Sequence, residues 1–236
     1  MRTLAVFLFL ALLRLVSRLC WRLERTWIGD TRPETAFDGL RVVALLNHTS
    51  LFEWIYIAAC PHAFLWRVAV HGVIPAAQKT TQRPLVGAFF KMLGKHVVSI
   101  TRERDSTWRS VLQRIDPDSM VIIAPEGRMK RPNGLDSQGQ PMTVRGGIAD
   151  ILEAIPEGPM MIAYSGGLHH VQAPGERMPR LFRRVRIAIE RVDIAEYRAA
   201  RLAEAGSETG FKRAVVNDLD HRRDLHCPPL EARAGR

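Results

Sequence analysis

From Gly39 onward, short apolar and β-branched runs alternate with stretches patterned for helices, and this alternation restricts the fold more than any other feature of the chain. Arg41 to Leu46, Val97 to Ile100, Met120 to Ile123, Met160 to Tyr164 and Val185 to Ile189 read as strands. Ser50 to Ala59, Leu85 to Leu93, Ser106 to Ile115 and Gly147 to Ile155 have helical length and patterning, with Ser50 and Asp105 or Ser106 placed as caps. Alternation of this kind predicts an α/β fold. At 236 residues the chain suits one domain, and no internal repeat breaks it up. Three parts are expected: a basic amphipathic helix over 1–28, a domain over 39–205, and a basic, poorly patterned tail over 206–236 that frays after Pro228 and Pro229.

The first part points to a membrane. Leu4 to Leu13 is an unbroken apolar run of about half the roughly 20 residues that a spanning helix needs. Arg14, Arg18, Arg22 and Arg25 follow at spacings of four, four and three, which a helix would gather into one basic stripe. Such a segment suits the headgroup layer of an anionic bilayer, and a single span with snorkelling arginines is the other geometry. No small-x-small site follows the run, against a cleaved signal.

Apolar residues make up 47% and charged residues 25% of the chain, which excludes disorder and a collagen-like fibre. The net charge of +10 favours phosphate-bearing partners. Nucleic acid is not expected among them, because the chain has no finger spacing, RNP-like strand or helix-turn-helix signal. Cys20, Cys60 and Cys227 are odd in number and far apart, consistent with a reducing cytoplasmic setting and with no metal site. His169 and His170 lack further ligand types at coordinating spacing and are expected to be a solvated pair.

Two strand ends carry chemistry. The first strand runs into Asn47-His48-Thr49-Ser50, with Glu53 five residues after the histidine, so that the carboxylate can fold back onto one imidazole nitrogen and leave the other as a base. Ser50-Leu51-Phe52-Glu53 is equally a Ser-x-x-Glu capping box, which would need no catalysis. No Gly-x-Ser-x-Gly elbow is present, so the base would act on a substrate hydroxyl directly. The strand Met120 to Ile123 ends in Ala124-Pro125-Glu126-Gly127-Arg128, a tight turn at the edge where open α/β sheets keep their sites. A surface loop, Lys130 to Pro141, follows it.

Asn-His-x-Ser with a carboxylate five residues on, a Lys79-to-Arg102 block punctuated by Pro84, Gly87 and Gly94, then Pro-Glu-Gly after an apolar strand, resembles the glycerolipid acyltransferases of the PlsC-like, lysophosphatidate acyltransferase type. The likeness runs from about Leu40 to Tyr164 and includes Arg145-Gly146-Gly147 at a helix start. It implies a mixed, mostly parallel sheet flanked by helices and a membrane-associated amino terminus on the cytoplasmic face. His48 would be the general base and Glu53 its partner, with Arg102, Glu126, Gly127 and Arg128 around the acceptor's glycerol phosphate. It also implies an acyl carrier protein or coenzyme A thioester as donor, membrane lipid as partner, and no cofactor. The chain departs from the family pattern at Glu53, where Asp is usual, at Arg128, where Thr is usual, and at Thr101-Arg102, where Asp-Arg is usual. The acceptor is therefore open between a lysophospholipid and a different hydroxyl or amine. A non-enzymatic lipid-surface protein is the rival reading.

Overall fold

Period-two patterning in the strand runs becomes a sheet with an apolar surface on each side. The structure, a computed structural model, describes residues 1–81, 90, 92–93, 97–101 and 105–229. Within them β1 (Arg22–Trp27), β2 (Val42–Leu46), β3 (Gly72–Ala77), β4 (Val97–Ile100), β5 (Met120–Ile123), β6 (Pro159–Ser165) and β7 (Arg184–Asp193) form one sheet in the order β1-β7-β6-β2-β5-β3-β4. Every neighbouring pair is parallel except β6 with β7. Alternate residues divide between two cores. Val42, Ala44 and Leu46 of β2 join Met160, Ile162 and Tyr164 of β6 against helices Gly147–Ala154 and Glu208–His226, while Val43, Met161 and Ala163 face the amino-terminal layer. Helices on both faces of a mostly parallel sheet agree with the α/β class that the alternation implied and with the flanked sheet that the family resemblance implied.

Several elements differ from the sequence reading for identifiable reasons. The first helix, α1 (Arg2–Cys20), stops at Trp21, and residues 22–27 become β1, paired parallel to β7. The long-range partner strand overrides the helical spacing of Arg22 and Arg25. Strand β3 was hidden by Gly72 and Pro75, residues unusual within a sheet. The stretch expected as a helix from Ser50 is a 3₁₀ helix, Glu53–Ala59, and Ser50 does not cap it. Its Oγ instead donates to Gln172 Oε1 and accepts from Phe52 N–H. Asp105 is the cap of helix Ser106–Leu112, accepting from the Thr107 and Trp108 N–H groups. The helix expected over Leu85 to Leu93 lies largely outside the described residues. The other described helices include α2 (His62–His71), the short Gln78–Thr81, Ile194–Ala205 and Glu208–His226. The last falls where a basic, poorly patterned tail was expected, and it buries Phe211, Ala214, Val215 and Leu219.

The arginines of the amino terminus do not form the outward stripe expected of them. Arg14 Nε donates to Cys60 O at 2.6 Å, Arg18 Nε to Ala58 O at 3.1 Å and Arg25 Nη1 to Ala59 O at 3.2 Å. These carbonyls end the 3₁₀ helix and have no partner within it, so three cations cap it. The outward face of α1 is leucine: Leu4, Leu8, Leu12, Leu15 and Leu19 are each more than half exposed. At 19 residues and mean hydropathy 2.0, α1 is long and apolar enough to cross a membrane.

Candidate active site

Three adjacent parallel strands bring the predicted residues to one edge. Strand β2 pairs with β5 through Ala44↔Ile123 and with β6 through Leu46↔Tyr164, so their carboxyl ends lie side by side. From them issue Asn47-His48, Glu126-Gly127 and Ser165. Asn47 sits at φ +63°, in the left-handed region that Asn tolerates better than most side chains, and this turns the chain sharply so that His48 leaves the strand. Asn47 Nδ2 donates to Ser165 O at 2.8 Å, tying the turn to β6.

The imidazole of His48 meets Glu53 through Nδ1 and Oε2. The other carboxylate oxygen accepts from Thr49 N–H at 2.6 Å and Ser50 N–H at 3.3 Å. Glu53 therefore faces the imidazole with one oxygen and the Thr49 and Ser50 N–H groups with the other, while the reciprocal bond of a capping box is not made, since Ser50 Oγ takes the Phe52 N–H. A neutral imidazole that donates Nδ1–H to a carboxylate carries its basic lone pair on Nε2.

Glu126 is buried, and its carboxylate grips the backbone of this loop: Oε1 accepts from Asn47 N–H at 3.1 Å and Oε2 from His48 N–H at 2.7 Å. Burial pushes its carboxyl above the ordinary range, opposed by the His48 N–H bond and the Arg223 guanidinium. Arg223 Nη1 lies 3.5 Å away, brought there by the carboxy-terminal helix. From the other side, Lys130 N–H donates to His48 O at 2.7 Å. Gly127, at φ +69°, makes the turn between them. Arg128 also lines the site, with its guanidinium on Asp136 and Gln138. That guanidinium holds the Asp136 carboxyl down to about 2. Arg102 lies outside the described residues.

Because a buried carboxylate accepts both N–H groups, Glu126→Gln should be costly. Its amide NH₂ must oppose one of the two donors, and leaving a buried donor unsatisfied costs about 1–3 kcal/mol. The thermal midpoint is expected to fall by roughly 2–4 °C per kcal/mol for a domain of this size, as calorimetry would read.

Sequence reasoning missed the second layer of this site. Thr49 Oγ1 accepts from Leu168 N–H at 2.8 Å, Tyr56 Oη meets Ser165 Oγ at 2.8 Å, and the Ser50–Gln172 bond ties the loop to the segment after β6. The clue available was the position of Ser165 at the carboxyl end of an apolar strand. His169 and His170, expected in solvent, are buried, with Nε2–H donating to Lys130 O at 2.7 Å and Arg184 O at 2.6 Å. Backbone carbonyls left over by the loops recruit them. Among the described residues no His, Cys, Asp and Glu group could hold a metal.

His48 and Glu53 border a cavity of about 1190 Å³, above the roughly 300–1,000 Å³ of ordinary ligand pockets. Its walls are largely apolar and include Phe9, Leu10 and Leu13 of α1, Phe64 of α2, and Val43 and Met161 of the sheet. Arg145, exposed at its edge, has no carboxylate partner among the described residues.

A family model described as Acyltransferase matches residues 28–164. A similar solved structure is the crystal structure of the 1-acyl-sn-glycerophosphate acyltransferase PlsC from Thermotoga maritima, with a TM-score of 0.56 and 16% identity over 92% of this chain and 78% of that one. At that identity the likeness concerns the fold. No curated protein matches the chain.

Proposed function

The chain belongs to the acyltransferase family, whose model matches more than half of its residues, and from that premise we propose that it acylates a hydroxyl of a lysophospholipid such as 1-acyl-glycerol-3-phosphate at a membrane. The observation that carries this reading is the His48–Glu53 pair at the border of a large apolar cavity, chemistry for a hydroxyl beside space for hydrocarbon. The likeness in fold to PlsC, a 1-acyl-sn-glycerophosphate acyltransferase, supports the choice of a 1-acyl-glycerophosphate as acceptor class.

In the proposed reaction His48 Nε2 takes the acceptor's hydroxyl proton as its oxygen attacks the thioester carbonyl. A C–O bond forms, the C–S bond breaks, and the departing thiolate takes the proton back from the imidazolium. Glu53 keeps the proton on Nδ1 and stabilises the cation that forms transiently. Glu126 sets the His48 backbone rather than presenting its own carboxylate to substrate, and Gly127 makes that placement possible. The donor is an acyl carrier protein or coenzyme A thioester. Incubating the protein with a panel of lysolipids and both donors, followed by product mass, tests the reading. Acylated lysophosphatidate is the expected product, and no acylated lipid with either donor would overturn it.

For the acceptor's phosphate we assign Arg102 and Arg145, because Arg128 is already engaged by Asp136. A charge-assisted bond to phosphate contributes about 1.5–3 kcal/mol, so Arg145→Met should lower kcat/KM by roughly 10- to 150-fold. The loss should be confined to phosphate-bearing acceptors. An equal loss toward phosphate-free acceptors would mark Arg145 as structural.

A further inference from the structure

Beside the end of α1 the chain displays an apolar cluster that neither the site nor the core uses. In the loop between β6 and β7, Met178 is 76% exposed, Leu181 48% and Phe182 69%. Burying side chains of this kind normally stabilises a fold by about 1.5–3 kcal/mol each, so three within five residues left in water call for a partner. Phe182 also has φ +59°, a left-handed conformation that is uncommon for any bulky side chain.

The loop is built to hold this pose. Phe182 N–H donates to Cys20 O at 2.6 Å, and Arg22 N–H to Arg183 O at 3.0 Å. The Trp21 indole donates to Arg180 O at 3.0 Å, and Arg180 pairs with Glu176 at 2.8 Å. Four interactions thus fasten the loop to the end of α1 and to itself, with the phenyl ring outward. Arg177 and Arg183 flank the apolar trio and have no carboxylate partner among the described residues.

We infer that the Arg177–Arg183 loop is a second membrane anchor, which inserts Met178, Leu181 and Phe182 between the headgroups of an anionic bilayer while Arg177 and Arg183 meet lipid phosphates. Two observations choose lipid as the occupant. The loop is bonded to the last residue of α1, so it continues the exposed leucine face Leu4, Leu8, Leu12, Leu15 and Leu19. A second copy of the chain would bring the same arginines and the same +10 net charge against this patch, whereas an anionic surface complements it. The inference rests on the proposal that the substrates are membrane lipids, and it places the cavity border formed by α1 next to their source.

The test uses the full chain and sedimentation with vesicles at limiting lipid. Leu181→Ser with Phe182→Asn should weaken partition onto phosphatidylglycerol–phosphatidylcholine vesicles at least tenfold, leaving turnover of a short-chain, soluble lysolipid unchanged. The thermal midpoint should not fall, since Asn accepts a positive φ more readily than Phe. Met178→Ser, at a position without backbone strain, should give a smaller loss in the same direction. Arg177→Gln with Arg183→Gln should weaken binding to the anionic vesicles and leave pure phosphatidylcholine unaffected. Wild-type partition by the apolar variants would overturn the inference, as would a concentration-dependent dimer that they abolish. Loss of vesicle binding in a protein that acylates no lysolipid would leave the anchor standing and remove the proposed function instead.

Discussion

His48→Ala should lower kcat by about 10²–10⁴, the usual contribution of a positioned general base, while the protein remains folded. The fold should survive because the groups that hold this loop do not use the imidazole. Glu126 accepts from the His48 N–H, Lys130 N–H donates to the His48 carbonyl, and Asn47 holds Ser165, all of which an alanine keeps. Single-turnover rates with the accepted donor, beside a melting curve, would check both halves. A folded alanine variant that transfers acyl groups at a near-normal rate would remove His48 from the mechanism.

Glu53→Gln should be nearly as damaging, for a reason that concerns the position of one proton. Oε1 accepts from Thr49 N–H and Ser50 N–H, and only an oxygen can do so; a glutamine must therefore put its carbonyl there and turn its NH₂ toward His48 Nδ1. An NH₂ facing Nδ1 donates to it, which drives the ring proton onto Nε2 and leaves no lone pair where the acceptor hydroxyl must be deprotonated. A comparable carboxylate-to-amide change in the serine-protease triad lowers kcat by about 10⁴. The expected loss here is roughly 10²–10⁴, with stability nearly kept because the loop N–H groups retain their acceptor. Glu53→Asp should stay within about tenfold of the parent, since it keeps a carboxylate that can serve both functions. Equal rates for the parent and the Glu53→Gln variant would leave Glu53 as a loop cap only.

Much of the site was legible in the chain because it is made of short segments that directly follow strands. A parallel sheet puts all such strand ends on one edge, so His48 and Glu126 could be placed together without knowing the strand order. The role of Glu126 was not legible. A Pro-Glu-Gly turn shows that a carboxylate is presented, and the direction of presentation depends on β5 lying beside β2, where the Asn47 and His48 N–H groups await an acceptor. Arg14, Arg18 and Arg25 fail as a membrane stripe for the same kind of reason. Helical spacing determines which residues share a face, and only packing against the 3₁₀ helix Glu53–Ala59 determines which way that face turns.

Local chemistry thus determined, from sequence alone, the α/β class, the reach of Glu53 to His48 and the turn after β5, because each depends on residues within a few positions of one another. Tertiary structure decided the rest. The pairing of β1 with β7, the burial of helix Glu208–His226 with Arg223 against Glu126, and the outward leucine face of α1 all depend on partners far away in the chain. A strand or helix face is satisfied only by another surface, and a chain read in one dimension carries the faces without saying which of them meet.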